Sequence, residues 1–238
     1  MVRTRIISVL LALGAATSVQ ASKPVAAPAS GMAFAAAAAR NDQPKIAAKL
    51  YRDATLATPK DATVWFGLGK ALEADGSLGE AIAALERAGE LQPGLPGLAC
   101  ARGRAELRAG HLAEAEISYR TATTEAPADT RGWVGLGITL DLQRRHSEAQ
   151  AAYAGALRSD PLDRAARNNM ALSVALQGHP AEAAGLLAPW AGATDAPDRM
   201  RGNLLLLQAA AAPTLPSPAG VDPALVAALR SVRPEPRP

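Results

Sequence analysis

The chain has 238 residues, a formal net charge of +3, 49% hydrophobic residues and only 3% aromatic residues. That length can bury a sizeable core, and a core of Ala and Leu with so few rings suits packed helices and excludes sheets built from branched and aromatic strands. The positive excess does not indicate nucleic acid, because Arg3 and Arg5 carry two of the charges at the start of the chain.

That start, residues 1–21, reads as an export signal. Arg3 and Arg5 precede an apolar stretch from Ile6 to Ala16, and Val19-Gln20-Ala21 has the small-x-small form that signal peptidase cuts, placing the mature N-terminus at Ser22. The stretch falls short of the ~20 apolar residues that span a bilayer, so no stable transmembrane segment is expected after cleavage. Residues 22–30, rich in Pro and Ala, read as a linker. The single cysteine, Cys100, cannot form an intramolecular disulfide and reads as a small helix residue.

From residue 31 to residue 212 the chain repeats itself every 34 positions. Ala47, Ala81, Ala115, Ala149 and Ala183 form one column, and Tyr51, Leu85, Tyr119, Tyr153 and Leu187 form a second. Ala54, Ala88, Ala122 and Ala156 make a third, with Trp190 in fifth place, while Pro59, Pro93, Pro127 and Pro161 close four units. A small residue recurs earlier in each unit at Ala35, Gly69, Gly103, Gly137 and Ala171.

Each unit predicts two antiparallel helices. In the unit from Ala62 to Leu95 the first helix is expected from about Thr63 to Asp75, with Trp65, Leu68, Gly69 and Leu72 at helical spacing. Gly76 ends it. Ser77 stands three residues before Glu80, which predicts a capping box at the start of the second helix. Ala81, Leu85 and Ala88 then give an apolar stripe whose small members let the helices approach, and Pro93 forbids continuation.

The pattern Trp65-x-x-Leu68-Gly69-x-x-Leu72, followed by Ala81, Leu85, Ala88 and Pro93, resembles the tetratricopeptide repeat (TPR). The resemblance implies an all-α superhelical solenoid of about five repeats. The first unit, Pro28 to Asp61, is degenerate; three good units follow; the unit from Arg164 is weaker, with Trp190 for Ala and Asp195 for Pro, and its second helix is expected to pack less closely. Asp198 to Ala212 would be the first helix of a capping unit. Residues 213–238 form a Pro-rich tail with one short helix expected near Pro223 to Ser231, on a face made by Val221, Leu225, Ala228 and Leu229.

The residues offer little for catalysis. His111, His146 and His179 each fall in the turn between two helices, where solvated or capping roles are expected, and none has a second ligand at metal-binding spacing. Gly67-Leu68-Gly69-Lys70 lacks the residues that would complete a phosphate loop and lies inside a helix. Glu80, Glu114, Glu148 and Glu182 fit helix N-termini, where carboxylates complement the dipole. No cofactor, metal or small-molecule substrate is expected, and an enzyme or regulatory enzyme subunit is the least favoured class.

By resemblance to other TPR domains, partners bind the concave surface lined by the first helices. The lining expected here includes Phe66, Lys70 and Glu73, then Cys100, Arg104 and Leu107, then Arg131, Val134, Ile138 and Asp141, and finally Asn168, Asn169, Leu172, Asn203 and Leu206. Asn169 and Asn203 stand one period apart, in a column where the family often places an Asn that bonds a peptide backbone. For both, a satisfied helix-face or inter-helix amide is the competing reading. Lys70 and Arg104 are candidates to hold a carboxylate, with solvated charges as the alternative.

The segment Asn168 to Gly178 together with Arg201-Gly202-Asn203-Leu204-Leu205-Leu206 is similar to the TadD family, the TPR component of the tight-adherence (Flp pilus) assembly machine. This implies an assembly or targeting factor acting on pilus or secretion components. The family's members are commonly lipoproteins, whereas Leu13-Gly14-Ala15-Ala16 has no lipobox cysteine, so the expected location is periplasmic. The alternative within the binding class is a generic periplasmic scaffold for cell-wall or polysaccharide-export proteins.

Overall fold

The computed structural model describes residues 28–212 and 220–232; the expected signal, residues 1–21, lies outside them, as does most of the expected linker. The described residues form twelve helices and no strand: α1 (Pro28–Arg40), α2 (Pro44–Ala57), α3 (Ala62–Asp75), α4 (Leu78–Leu91), α5 (Leu98–Ala109), α6 (Leu112–Glu125), α7 (Thr130–Leu142), α8 (His146–Ser159), α9 (Arg164–Leu176), α10 (Pro180–Ala191), α11 (Asp198–Ala211) and α12 (Pro223–Ser231). Consecutive helices pack in antiparallel pairs, and the pairs stack in chain order. The odd-numbered helices α1 to α11 also touch one another in succession, whereas successive even-numbered helices do not pack to a comparable extent. The odd helices therefore make the inner, concave layer, and the even helices splay on the outside.

The sequence explains the stops and starts. Gly76 and Gly110 take left-handed backbone after α3 and α5, closing each helix with a hydrogen bond that a residue with a Cβ would make at a strain cost. Asp61, Asp129 and Asp163, in one 34-residue column, each cap an inner helix through the side chain. The capping box expected at Ser77 does not form. Ser77 makes no side-chain cap bond and its hydroxyl instead donates to Asp75 Oδ2 at 3.2 Å, because the tight Gly76 turn brings that carboxylate within reach.

The small-residue columns set the distance between helices. Ala47, Ala81, Ala115, Ala149 and Ala183 are all 0% exposed, which allows the close axial approach that larger side chains would block. The Tyr column fills the remaining space: Tyr119 and Tyr153 are buried, each against a glycine of its own unit, Gly103 and Gly137. Between units, Trp65 and Trp133 donate their indole N–H to the carbonyls of Pro59 and Pro127, both at 2.9 Å. These two closing prolines thus do more than break helices, since their carbonyls accept a bond from the next unit. In the unit from Arg164 the Trp is replaced by Arg167, which donates to Pro161 O at 2.6 Å and stacks over the Trp190 ring, 3.8 Å from its centroid.

Helix α10 seats Ala183, Leu187 and Ala191 in the core, with Trp190 half-buried against the same cluster beneath Arg167, and it packs on α9 less closely than the second helices of the preceding units pack on their partners. One expectation for the C-terminal part is corrected. Helix α12 has the expected bounds but a different face: Val226 is 1% exposed and Leu229 packs on the α9–α11 core, while Leu225 is 54% exposed. The Arg230 guanidinium donates to the carbonyls of Ala209 and Ala212, fastening α12 to the end of α11.

Candidate partner-binding groove

The expected lining residues all lie on inner helices, but in three different states. At the N-terminal end, Phe66, Lys70 and Arg104 line a single cavity of about 700 Å³ together with Tyr51, Glu73 and Arg108. Lys70 lies over the Phe66 ring, 5.3 Å from its centroid. Glu73, expected in the lining, is 5% exposed and bridges two units. It accepts from Arg104 Nε at 2.8 Å and Arg104 Nη2 at 2.5 Å, and from Arg108 Nη1 at 2.7 Å. Such charge-assisted bonds are directional and hold both guanidiniums in place. Arg108 was not foreseen; its spacing of four residues from Arg104 on one helix was the available signal.

In the middle, Val134 and Ile138 lie half-buried one helical turn apart on α7, with Ile138 against the α7–α8 core. Arg131 stands at the start of the same helix and is engaged by its own cap: Asp129 accepts from its Nε and Nη2 at 2.9 and 2.6 Å. That contact holds the Asp129 carboxyl below its ordinary range. Burial pushes the Cys100 thiol up, with Asp129 acting in the same direction, so the thiolate is disfavoured.

Asp141, expected in the lining, is withdrawn into the structure. It receives Tyr153 OH at 2.9 Å and Ser173 Oγ at 2.6 Å and pairs with His146 Nδ1 at 2.8 Å, tying α7, α8 and α9 together. His146 is consequently not a solvated turn residue: it opens α8 and is 7% exposed. The sequence hid this because Asp141, His146, Tyr153 and Ser173 each fit a bland helix position, and only the stacking of three helices joins them.

At the C-terminal end the three asparagines form an amide chain. Asn203 Nδ2 donates to Asn168 Oδ1 at 2.8 Å, and Asn168 Nδ2 donates to Asn169 Oδ1 at 3.2 Å. Asn168 is 3% exposed, so its amide serves α9–α11 packing rather than the groove surface, and Asn203 gives its donor to that inter-helix bond. Asn169 and Asn203 are half-buried at the two ends of the chain, and Leu172 lies half-buried beside them on α9.

Among the described residues, no group of three or more His, Cys, Asp or Glu is placed to hold a metal ion, and no helix is long and apolar enough to cross a membrane.

A succession of antiparallel helix pairs with a continuous inner face, fixed by a 34-residue sequence period, defines a helical-repeat scaffold. The tetratricopeptide repeat family model matches residues 32–96, 100–149 and 142–198, and the chain belongs to that family. No curated protein matches it in sequence. Several solved structures share the fold. MamA (residues 41 to the end) from Desulfovibrio magneticus RS-1 superposes with a TM-score of 0.63 at 17% identity, covering 68% of this chain and 92% of that one. PilF of Pseudomonas aeruginosa gives 0.65 at 15% identity over 76% of this chain and 81% of its own. YrrB, described as a TPR protein with an unusual peptide-binding site, gives 0.58 at 18% identity over 84% and 90%.

Proposed function

We propose that this protein is a non-catalytic interaction scaffold of the bacterial envelope that captures a segment of a partner protein along its concave face. The observation that carries the reading is the continuous inner layer of α3, α5, α7, α9 and α11, along which Phe66, Val134, Ile138, Asn169, Leu172 and Asn203 are distributed, each half-buried. An Asn amide offers a donor and an acceptor and so matches any peptide unit, while the apolar residues select for side chains. YrrB's described peptide-binding site is a precedent for this use of the fold.

The finer reading is an assembly or targeting factor for tight-adherence (Flp) pilus biogenesis, exported to the periplasm. It is supported by the likeness of residues 168–178 and 201–206 to the TadD family and by the signal-like residues 1–21. Photo-crosslinkers at Val134 and Leu172, with Glu148 on the outer layer as control, test both levels in intact envelopes. Crosslinks to pilin or secretion components from the inner positions only are expected. Crosslinks only to cell-wall or polysaccharide-export proteins would retain the scaffold and reject the pilus role, and crosslinks only from Glu148 would reject the groove.

A further inference from the structure

The helix pair α5–α6 breaks the apolar columns of the repeat. Leu68, Leu72 and Ala84 of α3–α4, and Leu136, Leu140 and Ala152 of α7–α8, are all buried at 2–6% exposure. Thirty-four residues from each of them, α5–α6 carries Arg102, Glu106 and Ser118 instead. Arg102 Nε donates to Ser118 Oγ across the seam at 2.9 Å and lies 3.3 Å from Glu106 Oε1. Glu106 is 4% exposed, and its Oε2 finds no hydrogen-bond partner among the described residues. We infer that this seam is a hinge, at which the solenoid bends as two arms, α1–α5 and α6–α12.

Opening has opposite consequences in this seam and in its neighbours. Where Leu and Ala face each other, separating the helices returns apolar surface to water, and the hydrophobic effect opposes it. Between α5 and α6 the same movement hydrates an ion pair and the unbonded Glu106 oxygen, groups whose burial is costly when their bonding is incomplete. A half-satisfied polar cluster therefore holds two helices together less firmly than the apolar contacts it replaces. The Asp141 cluster differs on this point, because Tyr153, Ser173 and His146 all bond to it and tie α7, α8 and α9.

The packing supplies both a pivot and room to move. One apolar cluster runs from Ala38 on α1 to Ala105 on α5, and the next from Ala115 on α6 to Tyr153 on α8, so each arm keeps a core of its own. The bonds from Arg104 and Arg108 to Glu73 add a polar tie between α5 and α3 within the first arm. The arms meet at an apolar edge, where the Tyr119 ring lies against Gly103 and Leu107 packs on the second cluster. Beside the polar edge, a cleft of about 510 Å³ separates α4 from α6, lined by Gly89, Leu98, Arg102, Thr121 and Glu125. Rotation about the Gly103–Tyr119 contact moves α6 relative to that cleft and changes the distance from Phe66 and Lys70 on α3 to Val134 and Ile138 on α7. The hinge requires no partner on the concave face, and it stands whatever that face binds.

Double electron–electron resonance on the spin-labelled full chain, in a Cys100→Ala background, tests the inference. Ala83, Ile117, Ala151 and Gly185 are exposed and hold the same repeat position on α4, α6, α8 and α10, so label pairs two units apart compare like with like. The pair Ala83→Cys/Ala151→Cys spans the α5–α6 seam, and the pair Ile117→Cys/Gly185→Cys does not. The distance distribution of the first pair is expected to be at least ~2-fold broader than that of the second, because a seam that opens populates more than one state. Arg102→Leu/Glu106→Leu/Ser118→Ala, which gives the seam its neighbours' residues, should narrow the first distribution to the width of the second. Glu106→Leu alone, which leaves Arg102 its bond to Ser118, should narrow it in the same direction. Equal widths for the two pairs with the seam unsubstituted would overturn the inference, and that comparison decides the question even where a variant fails to fold. An unchanged width in either folded variant would overturn the assignment of the hinge to this cluster.

Discussion

Gly135 on α7 lies directly beneath the ring of Tyr119 on α6, so that a Cβ at position 135 would collide with the Tyr119 ring atoms Cε1 and Cζ. Tyr119 also meets Gly103 of its own unit, where an added Cβ would come within 3.0 Å of its Cγ. One tyrosine is thereby clamped between two units by two glycines, and the superhelix can stack only if both positions stay bare. Gly135→Ala should destabilise the fold by ~1–3 kcal/mol through overpacking of a rigid ring, read as a fall in melting temperature by circular dichroism. Ala115→Trp, at a 0% exposed position, should do at least as much. Unchanged melting in both would mean that the stacking distance is not set by these columns.

The carboxylate of Asp141 has a comparable role made from polar groups. Replacing it by Ala strands Tyr153 OH and His146 Nδ1 in a buried site and leaves Ser173 Oγ only its longer bond to His146 O at 3.4 Å, and each orphaned group costs ~1–3 kcal/mol. Asp141→Ala should therefore lower the unfolding midpoint in urea by more than Gly135→Ala does. A midpoint within error of the wild type would show that water replaces the lost carboxylate.

Acid sensitivity follows from carboxylates held below their ordinary range. Hydrogen bonds from Thr63 depress Asp61, and those from Arg131 depress Asp129. At Glu116 burial opposes ionisation, but bonds from Arg145 and Gln143 outweigh it and leave the group depressed. A depressed carboxylate contributes stability that is fully present above its unfolded pKa and is lost as pH falls through the folded one. The melting temperature should therefore be level from pH 7 to pH 5 and decline below about pH 4, near the ordinary Asp and Glu values. A rise on going from pH 5 to pH 3 would contradict the assignment.

Much of the architecture was legible because the period repeats in phase. The Ala47-to-Ala183 column, the Tyr column and Pro59 to Pro161 all mark positions where sterics alone choose the residue, so spacing translates into packing. The site was less legible for a physical reason. Whether Glu73, Asp141 or Asn168 faces the groove depends on which guanidinium, hydroxyl or amide a neighbouring unit brings within 3 Å, and that neighbour is some thirty residues away in sequence. Arg167 illustrates the same gap: it breaks the Trp column in sequence yet reproduces the Trp bond to the preceding proline carbonyl in space.

The central claim, partner capture in the concave groove, is tested most directly by measuring partner retention with purified Asn169→Ala/Asn203→Ala protein against wild type. Each substitution removes an amide at one end of the Asn203–Asn168–Asn169 chain, and a polar group left unpaired at the interface costs ~1–3 kcal/mol, with 1.4 kcal/mol equal to tenfold in affinity. Asn203→Ala also removes a donor to Asn168, so each variant's melting curve is recorded alongside. The account predicts at least tenfold weaker capture of the crosslinked envelope partner with helicity retained, and no change for Glu148→Ala on the outer layer. Capture as tight as wild type by the folded double variant would contradict it.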